Sequence, residues 1–443
     1  MRYHSFIKGT LILTLTGLIS RLIGFFYRIY LSRLFGEEGM GVYQLLGPVL
    51  ALSFSITAAG LQSAISKYVA EEVSKKECRA SFRTLGTGLC ISLILSFLCM
   101  GATIRFSEEI ALHFLLEPRT SSMLRIIALS IPLAAVHSCI NGYFYGIRKT
   151  AVPAATQLIE QFFRVACVFI ASHLSGKHQM TFTINVAVIG LVIGEFCAML
   201  VSILAIYLRF YKTSRSNNTP TPKQDFTACK YSCIAGNLLK LAIPLSATRI
   251  ILNFLQSIEA VYIPNMLQIY GYDAKTALSV YGVLTGMALP LLFFPNALTG
   301  SMSLLLLPLI SEADATGNRS TVRRAYHKTL YSCLILGGVC TLGFLLAGGF
   351  AGQLLFKSEL AGQFIRILSF LCPFLYLSTT LSSILHGLGK AGCVFFVNVT
   401  SLLIRLVIVF LCIPHFGIES YLGGMLFSQI YQTLCFLWFL RKI

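Results

Sequence analysis

Four polar residues recur along one otherwise apolar stretch: Arg249, Asn253, Gln256 and Glu259, at intervals of four, three and three. On a helix turning about 100° per residue they share roughly 120° of one face. An anion suits such a face. The guanidinium fork pairs bidentately with phosphate or carboxylate oxygens, the two amides add donors, and Glu259 either holds the arginine or carries a proton. The same stripe also reads as a set of interhelical hydrogen bonds, each worth about 0.6 kcal/mol. Arg21 and Arg28 form a second pair of the same kind, seven residues apart and so within about 20° of one another on a helix, with Thr14 seven residues before Arg21. Arg28 is close enough to a span end to snorkel to the outer interface. Arg21 is too deep for that, so a place in an internal cavity is expected for it.

Four further ionisable residues sit mid-span. Glu160 precedes Arg164 by four residues, which predicts an ion pair within one helix. Arg405 has Ser401 in the place of that glutamate, so its partner is elsewhere or it stays open to a ligand. Glu195 is either that partner or a titrating site. A charge deep in a bilayer costs roughly 2.5–3.5 kcal/mol on insertion scales and is retained only against protein, water or ligand. His137 and His386 have no cysteine, histidine or carboxylate at ligand spacing and read as core histidines. The sequence contains neither a GxxxxGK[ST] loop nor an HExxH pair. Glu108, Glu109, Glu117 and Asp273 are scattered through short loops. No cofactor, metal or enzymatic activity is therefore expected.

The elements that must hold these residues follow from composition. The chain has 443 residues, with 35 Lys and Arg against 17 Asp and Glu, a net charge of +18, 12% charged residues and 56% hydrophobic residues. A soluble domain carries about 25% charged residues, so this chain could not cover a water-facing surface. A mean hydropathy of +0.77 equally excludes a disordered chain. At about 20 apolar residues per crossing, twelve transmembrane spans are expected: 6–30, 42–69, 84–106, 123–147, 152–174, 183–209, 238–264, 277–300, 327–350, 360–386, 392–412 and 419–440. The first is too long, and too basic at Arg21 and Arg28, for a cleavable signal. The 14 cysteines sit mostly singly in apolar runs, where a thiol packs as a small apolar group.

The polar stretch 210–236, with Thr213–Lys223 at its centre, is a flexible cytosolic linker by composition. It divides the chain into six-helix bundles at 1–209 and 237–443. With a cytosolic N-terminus, 20 Lys and Arg fall in cytosolic segments and 7 in outer ones, so both termini are expected in the cytosol. That bias accounts for the net charge through topology and anionic lipid, without nucleic acid. The halves also repeat at an offset of 241: Glu71/Glu312, Arg83/Arg324, Arg125/Arg366, Pro132/Pro373, Gly146/Gly387, Lys149/Lys390 and Arg164/Arg405. Six spans per half make the repeat parallel, with bundles enclosing a central cavity suited to alternating access. Pro48, Pro132, Pro244, Pro290, Pro295 and Pro373 provide bends, and Gly282 and Gly286 are spaced for close helix contact.

The runs Ser5–Thr14, Arg21-Leu22-Ile23-Gly24-Phe25, Phe35–Tyr43 and Ala64–Glu71 resemble the stage V sporulation protein B family of the multidrug/oligosaccharidyl-lipid/polysaccharide (MOP) flippase superfamily, alongside the lipid II flippases. The resemblance implies a MATE-like, all-α fold in the cell membrane. It also implies flipping of an undecaprenyl-pyrophosphate-linked saccharide, such as the peptidoglycan precursor lipid II, for wall or spore-cortex synthesis. In the related lipid II flippases, arginines of the first helix line a cationic cavity. Ser20–Phe25 carries that role to Arg21, while Arg28 stands one residue off the spacing. Substrate contacts are thus expected from Arg21, Arg28, Arg249, Asn253, Gln256 and Arg405, and coupling or ion pairing from Glu160, Arg164, Glu195 and Glu259. Two other classes fit the composition. One is a cation-coupled multidrug exporter, which needs an acidic cavity; the other is a non-transporting scaffold that recruits wall-synthesis enzymes.

Overall fold

The computed structural model describes residues 2–75, 78–175, 180–216 and 231–441. All regular structure in it is helical. The first helix, α1 (Arg2–Gln44), is broken at Gly36, whose φ of 70° is one that glycine adopts without a Cβ penalty. Among the described residues, ten helices are long and apolar enough to cross a membrane. They are α2 (Leu46–Ser74), α3 (Ala80–Arg105), α4 (Thr120–Gly146), α5 (Ala151–Leu174), α6 (Ile184–Tyr211), α7 (Tyr231–Tyr270), α8 (Ala274–Phe293), α10 (Arg319–Phe356), α11 (Glu359–Gly387) and α12 (Ala391–Leu411). Between α8 and α10 lies α9 (Asn296–Ala315), and α13 (Ile418–Leu440) closes the described chain.

Ten of the twelve expected spans are therefore met. The first, 6–30, falls in α1, whose opening residues are only partly described. The twelfth, 419–440, coincides with α13, where Gln429, Tyr431 and Gln432 dilute the hydropathy. Most of the linker, 217–230, lies outside the described residues. Large apolar side chains such as Leu174, Ile335, Leu346 and Phe350 point outward. Such surface is stable against acyl chains and costly against water, so the protein is a multi-pass membrane protein.

The chain forms two compact units. One comprises the chain up to Ser20 with Leu46–Asn253; the other comprises Arg21–Leu45 with Phe254–Ile443. This differs from a division at the linker, because α1 and α7 are each shared between the units. Composition marks where a chain leaves the bilayer, whereas packing decides which side chains belong together. In the first unit, Leu61, Ile65, Tyr143 and Phe144 share a core with Leu238 and Ala242 of α7. In the second, Arg33 ties α1 to the end of α10 by donating to the Leu354 and Leu355 carbonyls, at 2.7 and 2.9 Å.

π-Helical turns interrupt α2 at Ser55–Ala59 and α8 at Val283–Ala288. Such turns leave carbonyls short of their usual partner. Asn253 meets the first one, donating to the Ser55 hydroxyl at 2.6 Å and the Ala51 carbonyl at 3.2 Å. In the second unit, the close approach expected of Gly282 and Gly286 is present. A Cβ on Gly282 would strike the Glu37 carbonyl and Gly41, and one on Gly286 would come 2.7 Å from the Met40 methyl. Gly282→Leu is accordingly expected to destabilise this unit by about 1–3 kcal/mol through overpacking, seen as a lower melting temperature in detergent. An unchanged melt would mean that α1 and α8 part without cost.

Candidate functional site

The second unit holds a cavity of about 520 Å³ lined by Arg21, Arg28, Phe25, Phe294 and Asn296, with Pro290 and Leu375 among its apolar walls. Local sequence explains its shape. Gly24 leaves one wall without a side chain, and Gly300 on α9 makes room for the guanidinium, since a Cβ there would lie 3.3 Å from Arg21 Nη1. Phe25 and Phe294 pack with ring centroids 5.2 Å apart and form an apolar wall. Asn296 is fixed by hydroxyls of Thr299 and Thr379, both donating to its Oδ1, which turns its amide N–H₂ to other partners.

Among the described residues, no carboxylate lies within ion-pair distance of Arg21. The side chain is exposed to the cavity rather than neutralised by protein. A cationic, amide-bearing pocket with aromatic walls can take an oxyanion carried on an apolar or sugar-bearing molecule.

The stripe on α7 is divided. Arg249 and Asn253 belong to the first unit, Gln256 and Glu259 to the second. Arg249 and Gln256 are exposed. Asn253 is spent on the π-turn of α2. Glu259 does not turn to Arg249. It lies 6% exposed inside its own unit, where its two oxygens accept from Arg405 Nη2 and the Tyr421 hydroxyl, each at 2.9 Å. Arg405, expected either at a ligand or with a partner elsewhere, thus has that partner on α7. Tyr421 escaped the sequence reading because a tyrosine at a span edge gives no periodic signal.

In the first unit, the expected Glu160–Arg164 ion pair on α5 is present. Glu195 of α6 comes within 3.9 Å of Arg164 and 3.1 Å of His137 Nδ1 on α4. Gly194 permits this: a Cβ there would come 2.7 Å from the Glu160 carbonyl, so α6 can close on α5 only because the side chain is missing. Glu195 is therefore not the partner of Arg405. His137, read as a core histidine, has a carboxylate beside it that no local spacing could reveal.

Residues 6–314 match the family described as polysaccharide biosynthesis protein. The chain belongs to that family. Its similarity extends over nearly its whole length, as the resemblance to the stage V sporulation protein B family requires: it is 27% identical over 98% of its residues to stage V sporulation protein B of Bacillus subtilis (strain 168), covering 83% of that protein. Among solved structures, the lipid II flippase MurJ in an inward closed conformation superposes with a TM-score of 0.72 at 16% identity, over 97% of this chain and 87% of that one. An inward-facing multidrug resistance MATE transporter of the MOP superfamily gives 0.67 at 14% identity, over 97% of both chains. This family member therefore has the MOP-superfamily fold.

Proposed function

We propose that this protein is an alternating-access flippase that carries an undecaprenyl-pyrophosphate-linked saccharide of the lipid II kind outward across the cytoplasmic membrane, for wall or spore-cortex synthesis. The observation that carries this reading is the Arg21 cavity, which is basic and walled with aromatic side chains, and in which Arg21 has no carboxylate within ion-pair distance among the described residues. Its chemistry is the complement of a pyrophosphate. Arg21 engages the phosphate oxygens through its planar fork, Arg28 adds a second positive charge, and Asn296 and the aromatic walls receive sugar and first isoprene units. The rest of the polyprenyl tail stays in the bilayer. Arg249 and Gln256 act as further headgroup donors, while Asn253 and Arg405, already bonded to protein, hold helices in register. The similarity to a sporulation protein and to a lipid II flippase supports the same assignment.

A multidrug exporter of cations needs an acidic pocket, and the cavity here is basic. The deciding experiment is translocation by purified protein in proteoliposomes, offering one lipid-linked precursor at a time. Undecaprenyl-pyrophosphate saccharides are expected to cross and lipophilic cations not to; the reverse pattern would sink the assignment.

With both termini in the cytosol, an anionic headgroup moves outward with the membrane potential, which supplies about 2.3 kcal/mol per charge per 100 mV. An inside-negative potential is accordingly expected to speed translocation. A rate that stays constant when an ionophore collapses the gradient would refute this coupling.

A further inference from the structure

In the first unit, one guanidinium faces two carboxylates and an imidazole. Arg164 is bonded to Glu160, lies 3.9 Å from Glu195, and His137 Nδ1 lies 3.1 Å from Glu195 Oε2. The candidate ligand atoms of His137, Glu160 and Glu195 all fall within 4.8 Å of one another. The charged groups that act on His137 are these same three: Glu195 and Glu160 from α6 and α5, and Arg164 from α5. With both carboxylates ionised and the imidazole neutral, the cluster carries one uncompensated negative charge within membrane-spanning helices, a costly state.

The second unit shows that the scaffold does not require it. The offset of 241 sets Arg405 against Arg164, Ser378 against His137 and Ser401 against Glu160. Where His137 of α4 meets Glu195 of α6, Ser378 of α11 meets Gln429 of α13, whose Nε2 donates to its hydroxyl at 2.5 Å. Ser401 donates to the Ser428 carbonyl. Arg405 is balanced one to one by Glu259. At this offset the second half has hydrogen-bonded serines, Ser378 and Ser401, opposite His137 and Glu160, and the buried Phe436 opposite Glu195, so three positions that are ionisable in the first half are uncharged in the second. Structural demand does not explain the difference.

We propose that His137, Glu160 and Glu195, arranged around Arg164, form a proton-binding site of the first unit. One proton enters and no electron moves, and the cluster passes from one net negative charge to neutrality. The added proton makes His137 an imidazolium whose Nδ1–H donates to Glu195 Oε2 3.1 Å away, turning a bond from a neutral donor into a charge-assisted one. A metal ion is the poorer occupant, because Arg164 already places a fixed positive charge between the carboxylates. The inference goes beyond the flippase reading and holds whatever the cargo is.

The test is a pH titration of full-length protein in lipid nanodiscs, following the imidazole resonances of isotope-labelled histidine; the His137 signal is identified by its loss in H137Q. Wild type is expected to show His137 in a one-proton transition, with the protonated-to-neutral ratio changing about tenfold per pH unit, and unmoved by sodium or potassium at fixed pH. In E195Q the transition should shift to lower pH, because the excess negative charge is gone. H137S/E195Q installs a neutral serine–glutamine pair like that of Ser378 and Gln429, so it should fold and take up one proton fewer than wild type across the same pH range. A His137 signal invariant with pH would overturn the proposal. So would a signal that sodium or potassium moves at constant pH, or a proton uptake by H137S/E195Q equal to that of wild type. None of these readouts needs the cargo, so a failed flippase assay and a failed proton site are told apart.

Discussion

Arg21→Ala lowers transport of a pyrophosphate-linked lipid by about 10- to 100-fold while leaving the fold intact. The size follows from the bond removed. A hydrogen bond to a charged group is worth about 1.5–3 kcal/mol, and each 1.4 kcal/mol is about tenfold in an equilibrium constant. The fold is spared because Arg21 is exposed to its cavity and pairs with no carboxylate among the described residues. Surface changes of this kind stay within about 0.5 kcal/mol of stability. Arg21→Lys keeps the charge but loses the two-pronged geometry, so it should recover part of the rate. Gly300→Val approaches the same point from the other wall, since its new carbon atoms occupy the space of the guanidinium. Transport by Arg21→Ala equal to wild type, in protein that melts normally, would show that phosphate binds elsewhere.

Glu259→Ala is expected to produce the largest loss of stability. Removing one partner of a buried ion pair costs about 3–5 kcal/mol, because the charge left behind is neither solvated nor paired. Here Arg405 would be stranded, and the Tyr421 hydroxyl would lose its acceptor as well. Arg405→Ala should cost less, because Glu259 keeps the hydrogen bond from Tyr421. The double variant Glu259→Gln/Arg405→Met removes both charges together and should recover much of the loss, as replacement of whole buried pairs by uncharged groups does elsewhere. Thermal unfolding in a single detergent orders the four proteins. A double variant no better than Glu259→Ala would mean that the pair is not energetically coupled.

The Glu160–Arg164 pair was legible because both partners sit on one helix, four residues apart, where helical geometry alone brings them together. The depth of Arg21 was legible for a similar reason: position within an apolar run is a property of the run. The Glu259–Arg405 pair, 146 residues apart, was not, and neither was the His137–Glu195 contact. Periodicity gives the face on which a side chain stands and says nothing of the helix across from it. Glu259 shares a face with Arg249 in the sequence pattern, yet it pairs with an arginine of α12.

Local pattern along the chain suffices for a helical, multi-pass membrane protein with ten located spans, because the cost of exposing polar backbone and charge to lipid acts residue by residue. It also marked the ionisable residues that such a cost must be set against. Which of them neutralise one another and which stay open is set by how the helices pack. That choice rests on helix separation and register, set by close approaches such as Gly194 on Glu160 and Gly282 on Glu37. These are relations between segments far apart in the chain, and no local pattern encodes them.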